Sequence, residues 1–322
     1  MATLTARAES FPIRGSFTIS RGSKTSADVV LVEAREGSHR GQGECVPYPR
    51  YDETVAGALA DIAKLPQGID RRTLQTAMKP GAARNAVDAA LWDLEAKTTG
   101  TPAWKLAGLP EPKPVVTAYT LSLGTPEAMG KAAAENAYRP LLKLKLGGEG
   151  DIARVEAVRR NAPDARLIVD ANEAWTPDLL PVLLPAMARL GVELIEQPLP
   201  AGKDQALKGI KRDVPICADE SCHGLDTLHE LVGYYDAVNV KLDKTGGLTE
   251  ALLVADKARS LGFQVMVGCM LGTSLGMAPA LLVAQLAQFV DLDGPLLLAR
   301  DRENGIDYRD GLAHPPSAAL WG

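Results

Sequence analysis

Apolar residues recur along this chain at two different periods, and the change from one to the other divides it. Near the start, 11–20 and 29–34 are short alternating or β-branched runs with polar residues between them, which predicts strands, and a third short strand ends near Glu44. A helical pattern begins over 53–61. A longer one covers 85–98, with Val87, Leu91 and Leu94 on one face and Gly100 and Pro102 after it. Strands followed by helices predict an α+β unit over 1–114, with 110–114 as its linker. From there short apolar runs return at 115–119, 141–146, 166–170, 192–196, 214–219, 237–241, 263–268 and 289–293, their starts 22 to 26 residues apart. Helical patterns lie between them at 126–138, 152–161, 225–232 and 249–260. Strand and helix in alternation predict a parallel sheet, and eight such units predict an α/β barrel of the TIM type rather than an open sheet. A doubly wound sheet would carry GxGxxG after an early strand. None is present, and Gly147, Gly148 and Gly150 have the wrong spacing.

Composition narrows the function. The 322 residues carry 35 basic and 40 acidic side chains, a net charge of -5 that argues against a nucleic-acid or membrane-surface partner. The most apolar stretch, 275–290, contains Pro279 and is too short and mixed to span a bilayer. Arg7 and Glu9 fall early, with no apolar signal core around them, so a cytoplasmic chain is expected. The four cysteines form no CxxC pair and read as free thiols, Cys269 as packing or pocket wall. None of the four histidines has zinc-site or triad spacing, His223 included. Chemistry on this chain therefore rests on carboxylates and lysines.

Those residues fall at the ends of strands. Asp170 ends the third barrel strand in VDANEAW, Glu196 the fourth in ELIEQPLP and Asp219 the fifth in PICADES, separations of 26 and 23 residues. Successive units bring them together at the face where barrel enzymes act. Burying three carboxylates there is costly without a cation, and an all-oxygen donor set favours Mg2+, with Mn2+ as a substitute. In LLKLKLGG, Lys143 and Lys145 share the inward face while Leu142, Leu144 and Leu146 face the helices. In VNVKLDKTGG, Asn239 and Lys241 share a face, with Lys244 in the following loop and Asp243 solvated beside it. The second and sixth of eight strands are diametrically opposed, so Lys145 and Lys241 should confront each other across the mouth. A cation, a second ammonium and burial should each lower a lysine pKa towards the range of a useful base. Two opposed bases suit removal and return of the proton α to a carboxylate, with inversion of the carbon.

These residues resemble the enolase superfamily, specifically its muconate lactonizing enzyme subgroup, over essentially the whole chain. The resemblance implies a modified (β/α)7β barrel over 115–293, a capping domain over 1–114 and a segment over 294–322 that returns to the cap. It implies Asp170, Glu196 and Asp219 as magnesium ligands, Lys145 and Lys241 as the acid/base pair, and Lys143 as an electrostatic aid. ISRGS, GECVPYPRYDET, VNVKLDKTGG and DLDGP are similar to the dipeptide epimerase branch, and in particular to its members acting on L-Ala-D/L-Glu, which suits recycling of cell-wall peptides. That implies Asp291 and Asp293 as receptors of the substrate's α-ammonium group. Arg21, with Lys24, would pair with a terminal glutamate carboxylate, and Met270 and Thr273 would shape the pocket. Asn172, Asn239 and Glu220 would support the ligands. Many subgroup members carry an acid after the seventh strand, where GCMLGTS here has Gly272.

The rivals are an o-succinylbenzoate synthase or N-acylamino-acid racemase, a muconate cycloisomerase, and a silent barrel that binds an anion. Asp291 and Asp293 disfavour substrates lacking a free amine, and a silent binder gains nothing from two opposed lysines. Trp92 and Trp104 read as cap or linker packing, Trp175 as a brace or a substrate contact. A homo-oligomer is compatible with the many helix faces of such a barrel.

Overall fold

The computed structural model describes residues 2–322. It opens on an antiparallel sheet of β1 (Thr3–Ile19), β2 (Gly22–Glu36) and β3 (His39–Cys45), in that order. Helices α1 (Val55–Ala63), α2 (Arg71–Ala77), α3 (Ala82–Thr99) and α4 (Ala103–Leu106) follow. Val30, Val32 and Ala34 of β2 bury one sheet face together with Ala86, Ala90 and Leu94 of α3. The approach is very close. A Cβ built on Gly43 would lie 2.1 Å from the Ala86 carbonyl oxygen, and one on Gly41 2.2 Å from that of Ala90.

After a short β4 (Val115–Val116) the chain enters eight parallel strands: β5 (Tyr119–Leu121), β6 (Leu141–Lys145), β7 (Arg166–Asp170), β8 (Val192–Glu196), β9 (Ile216–Ala218), β10 (Ala237–Val240), β11 (Gln264–Gly268) and β12 (Phe289–Asp291). Outer helices are α5 (Pro126–Glu135), α6 (Asp151–Asn161), α7 (Leu180–Arg189), α8 (Leu242–Thr245), α9 (Leu248–Ser260) and α10 (Ser274–Ala284). The ring closes where the Ala118 amide donates to the Val290 carbonyl at 2.8 Å. This is the enolase-like α/β architecture, a capping unit on a TIM-type barrel. The last residues run back across the cap: Trp321 Nε1 donates to the Ala89 carbonyl, and the Gly322 amide to Asp93 Oδ1. Among the described residues no helix is long and apolar enough to cross a membrane.

The period-two alternation of the strands builds the barrel interior in layers. Leu141, Ile168, Leu194, Cys217, Ala237 and Phe289 meet in one buried apolar floor. Two residues further along the same faces stand Lys143, Asp170, Glu196, Asp219, Asn239 and Asp291, all buried. The intervening residues, such as Leu142, Leu144, Val169, Ile195 and Val240, point outward into the core shared with the helices. β11 follows Met266 with Gly268, where a Cβ would lie 2.7 Å from Asn239 Oδ1, so glycine there leaves room for the asparagine.

Five elements differ from the sequence expectation. β1 and β2 are longer than 11–20 and 29–34, because exposed polar residues pair within a hairpin whose outer positions carry no apolar signal. α2 was not anticipated and rests on Asp70, whose Oδ1 accepts from the Thr73 amide at 2.7 Å. Residues 225–232 hold only a single 3-10 turn, Leu228–Leu231. The first barrel strand is Tyr119–Leu121 rather than 115–119. Val115 and Val116 are claimed instead by β14 (Leu312–Ala313), which pairs with β13 (Tyr308–Arg309) on its other side.

The Gly43 contact gives a direct test. Gly43→Ala forces backbone apart at the β3–α3 interface and is expected to destabilise the protein by about 3 kcal/mol. A urea midpoint unchanged from the parent would show that α3 does not pack this tightly on β3.

Candidate active site and metal centre

Asp170, Glu196 and Asp219 are 0%, 1% and 2% exposed and each offers an oxygen within 4.8 Å of the others. They stand on adjacent strand ends because Lys145, Asp170 and Glu196 share one rung of the β6–β7–β8 ladder and Asp219 follows β9 directly. Each carboxylate is held twice. One oxygen has a fixed donor: the Asn172 amide to Asp170 Oδ1 at 2.9 Å, Asn239 Nδ2 to Glu196 Oε1 at 2.7 Å, and Lys244 Nζ to Asp219 Oδ1 at 2.6 Å. The other faces a lysine from the mouth. Asp170 Oδ2 lies 2.6 Å from Lys145 Nζ, Glu196 Oε2 2.6 Å from Lys143 Nζ, and Asp219 Oδ2 2.7 Å from Lys241 Nζ. Three convergent, buried, hard oxygen donors fit a divalent cation.

Lys145 and Lys241 thus reach the triad from its two ends, one from β6 and one just beyond β10. Lys143, 1% exposed, sits deeper. Its Nζ is 2.6 Å from Glu196, 2.7 Å from Asp291 Oδ2 and 3.2 Å from Asp170. Burial alone pushes Asp170 up, but Lys145 and Lys143 outweigh it and bring the group down to about 2. Asp219 is likewise held well below the carboxylate range against burial, by Lys241 and Lys244. Burial and the charge on Asp170 leave Glu196 raised to about 7. Burial lowers Lys143 and Lys241, and the carboxylates around them, Asp291, Glu196 and Asp170 for the first and Asp219 and Glu196 for the second, lift both well above the usual value.

Above the triad lies a cavity of about 950 Å³ between cap and barrel. Lys143, Lys145, Lys241, Asp219, Glu220, Asn172, Asp291, Asp293, Cys269 and Met270 line its barrel side, and Arg21, Lys24, Tyr48, Arg50 and Tyr51 its cap side. Asp293 Oδ2 accepts from the Thr120 amide at 2.5 Å, and burial with the neighbouring Asp291 charge raises it to about 7. Asp291 Oδ1 is buried without a hydrogen-bond partner. Burial, then the Asp291 charge, pushes the Cys269 thiol up, which suits a wall residue and not a nucleophile.

Several expected placements change. Thr273 does not line the cavity. It caps α10, with its amide donating to Glu44 Oε1 at 2.7 Å and its hydroxyl bonded to Glu44 Oε2 at 2.5 Å. Arg21 is already engaged, with Nη1 on the Asn172 carbonyl and Glu173, and Nη2 on Glu220 Oε1 and the Tyr48 hydroxyl. Lys24, over the Tyr48 ring at 5.2 Å, has no carboxylate partner among the described residues. Lys244 is not in an open loop. It lies in α8, buried, and donates to the Asp219 and Asn239 carbonyls as well as to Asp219 Oδ1. Asp243 is not solvated, since Oδ1 accepts from Asn85 Nδ2 and the Val46 amide, and burial raises the group to about 7. Trp175 braces the barrel through Nε1 to Asp151 Oδ2 at 2.8 Å and stays out of the cavity. His223 stacks edge-on against Tyr51 at 4.7 Å.

Two family models match this chain. Residues 1–108 match the mandelate racemase / muconate lactonizing enzyme N-terminal domain, and 127–319 the enolase C-terminal domain-like family. The chain belongs to the enolase superfamily. Within that superfamily it is 45% identical over 320 residues to an L-Ala-D/L-Glu epimerase of Escherichia coli, covering 98% of this chain and all of the relative. It is 43% identical over 300 residues to an N-acetyl-D-glutamate racemase of Pseudoalteromonas, covering 91% and 95%. A solved structure from Agrobacterium tumefaciens, an enolase family member with homology to dipeptide epimerases, holds sodium and L-Ala-L-Glu with an ordered loop. It superimposes with a TM-score of 0.98 at 56% identity over the full length of both chains. Superfamily membership supports isomerase-type catalysis in general, and the buried triad is capable of chelating a divalent metal.

Lys244→Met would leave Asp219 and two carbonyls short of a buried partner. The expected loss is about 3 kcal/mol of stability, read as a lower urea midpoint, and a parent-like midpoint would contradict the placement.

Proposed function

We propose that this protein is a divalent-cation-dependent dipeptide epimerase that interconverts L-Ala-L-Glu and L-Ala-D-Glu. The observation that carries this reading is the approach of Lys145 and Lys241 to the triad from opposite ends, each against a different carboxylate. The similarity to the Escherichia coli epimerase and to the Agrobacterium protein holding L-Ala-L-Glu supports the substrate.

Asp170, Glu196 and Asp219 would hold the cation, Mg2+ by donor hardness with Mn2+ as a substitute, and its chemistry is that of a Lewis acid for the substrate carboxylate. One lysine, neutral at the start of turnover, removes the α-proton, and the electron pair passes into the carboxylate as an enediolate. The other lysine, protonated, returns a proton to the opposite face, so the carbon inverts and no atom is gained or lost. Lys143 stays cationic among Glu196, Asp291 and Asp170 and stabilises the charge that develops. Asp291, with Oδ1 unpartnered, and Asp293 receive the substrate ammonium. Lys24, which has no carboxylate partner among the described residues, would pair with the glutamate side chain, because Arg21 is committed to Glu173 and Glu220.

Incubation with Mg2+ and L-Ala-L-Glu in deuterated water should give inversion with one deuterium at the glutamate α-carbon. Lys241→Ala should abolish inversion while exchange from one stereoisomer survives through Lys145. No exchange with any Xaa-Glu dipeptide would refute the assignment.

The second relative makes N-acetylglutamate the competing substrate, and it lacks the amine. Two charge-assisted hydrogen bonds at Asp291 and Asp293 should favour the dipeptide by about 3 kcal/mol, on the order of 100-fold in kcat/KM. Equal or better turnover of N-acetylglutamate would transfer the assignment to racemisation of an N-acylated amino acid.

A further inference from the structure

Two cap segments form the roof of the cavity: the β1–β2 turn carrying Ser20 and Arg21, and the stretch after β3 carrying Tyr48, Arg50 and Tyr51. Both are tied to one barrel carboxylate, Glu173, three residues past Asp170. Glu173 Oε1 accepts from Arg50 Nη2 at 2.8 Å and from the Ala201 amide at 2.8 Å. Its Oε2 accepts from Arg50 Nε at 3.0 Å and Arg21 Nη1 at 3.0 Å. Arg50 therefore meets the carboxylate fork to fork while Arg21 shares it, a geometry worth more than an isolated surface pair.

The backbone is bent to serve the same contact. Asn172 and Glu173 are consecutive left-handed residues at φ 44° and 68°, which a glutamate adopts only under constraint. The bend turns the Asn172 carbonyl up to the cap, where it accepts from Ser20 Oγ at 3.0 Å and Arg21 Nη1 at 2.9 Å. Among the described residues, Glu173 is the one carboxylate ion-paired to both roof segments.

We propose that Glu173 is a positioning residue for substrate selection: it seats both cap segments over the barrel mouth and so fixes the wall that the dipeptide's second residue meets. It touches no reacting atom, and it acts through Arg21 and Arg50. Lys24 and Tyr48, which line that wall, ride on the segments it holds. The inference rests on the proposed substrate site for its kinetic consequence only, because the seating itself is a property of the protein without ligand.

The test is Glu173→Gln, which keeps the size and removes the charge. Hydrogen exchange on ligand-free protein should accelerate by about fivefold or more in both 18–25 and 47–54, with the barrel strands unchanged. With L-Ala-L-Glu and Mg2+, KM should rise on the order of tenfold while kcat stays within about threefold. Arg50→Met cuts one arm from the cap side and should accelerate exchange in 47–54 more than in 18–25, which keeps the proposal testable if the glutamate variant does not fold. Unchanged exchange in both segments, or a fall in kcat at constant KM, would overturn it. If the protein turns over no dipeptide, the exchange result alone decides, and the proposed substrate fails separately.

Discussion

Three carboxylates buried within 4.8 Å of one another are the constraint around which the molecule is built. Their mutual repulsion in a dry barrel mouth would unfold the site unless positive charge lay among them. Lys143, Lys145, Lys241 and Lys244 supply it, each with Nζ within 2.7 Å of a triad oxygen. Three of these ammonium groups contact Glu196 Oε2, Asp219 Oδ2 and Asp170 Oδ2, the last of which also accepts from Asn172 Nδ2 at 3.2 Å. Lys145 and Lys241, the residues proposed to move protons, are thus also part of the positive charge that balances the triad.

Lys244 shows how the site is tied to the fold. The β9–β10 ladder ends at Ala218 and Val238, which leaves the Asp219 and Asn239 carbonyls beyond its last pair. Lys244 bonds both and fixes Asp219 Oδ1 with the same ammonium. Its helix is in turn held by the cap. Arg84 donates to the Thr245 and Gly246 carbonyls, Asn85 to Asp243, and Asp88 accepts from the Thr249 amide at the start of α9. A row of polar residues on α3 thus positions the segment that carries Lys241 and Lys244. The tight seating of α3 on Gly41 and Gly43 becomes a condition of active-site geometry as well as of cap stability.

The triad and the lysines were legible because a strand alternates with period two, so a charged residue two positions beyond an apolar one on an inward face has only the barrel mouth to enter. Eight such strands in order also made the barrel legible. What sequence hid was pairing at a distance. Val115 and Val116 look like a barrel strand, and only the return of Leu312–Ala313 shows otherwise. Lys244 reads as a loop residue because four residues of helix ahead of Gly246 and Gly247 leave no amphipathic signal. Glu173 and Arg50 are ordinary surface residue types, and their convergence depends on two left-handed residues that no pattern announces. Arg21 was read as a free receptor because its partners, Glu173 and Glu220, lie 152 and 199 residues away.

Gly272 resolves in the same way. Many members of the subgroup carry an acid at this point after the seventh strand, and here the adjoining space is taken by the side chain of Glu44. A Cβ on Gly272 would lie 3.0 Å from Glu44 Oε1, and one on Gly276 3.2 Å from the same atom. Glu44, 1% exposed at the end of β3, fills this space and spends its oxygens on Thr273 and on Arg302 of the C-terminal segment. The carboxylate is thereby turned away from the cavity, whose wall here is the neutral pair Cys269 and Met270. Asp291 at the end of β12 and Asp293 just beyond it line the cavity and are the carboxylates proposed above to receive a substrate ammonium.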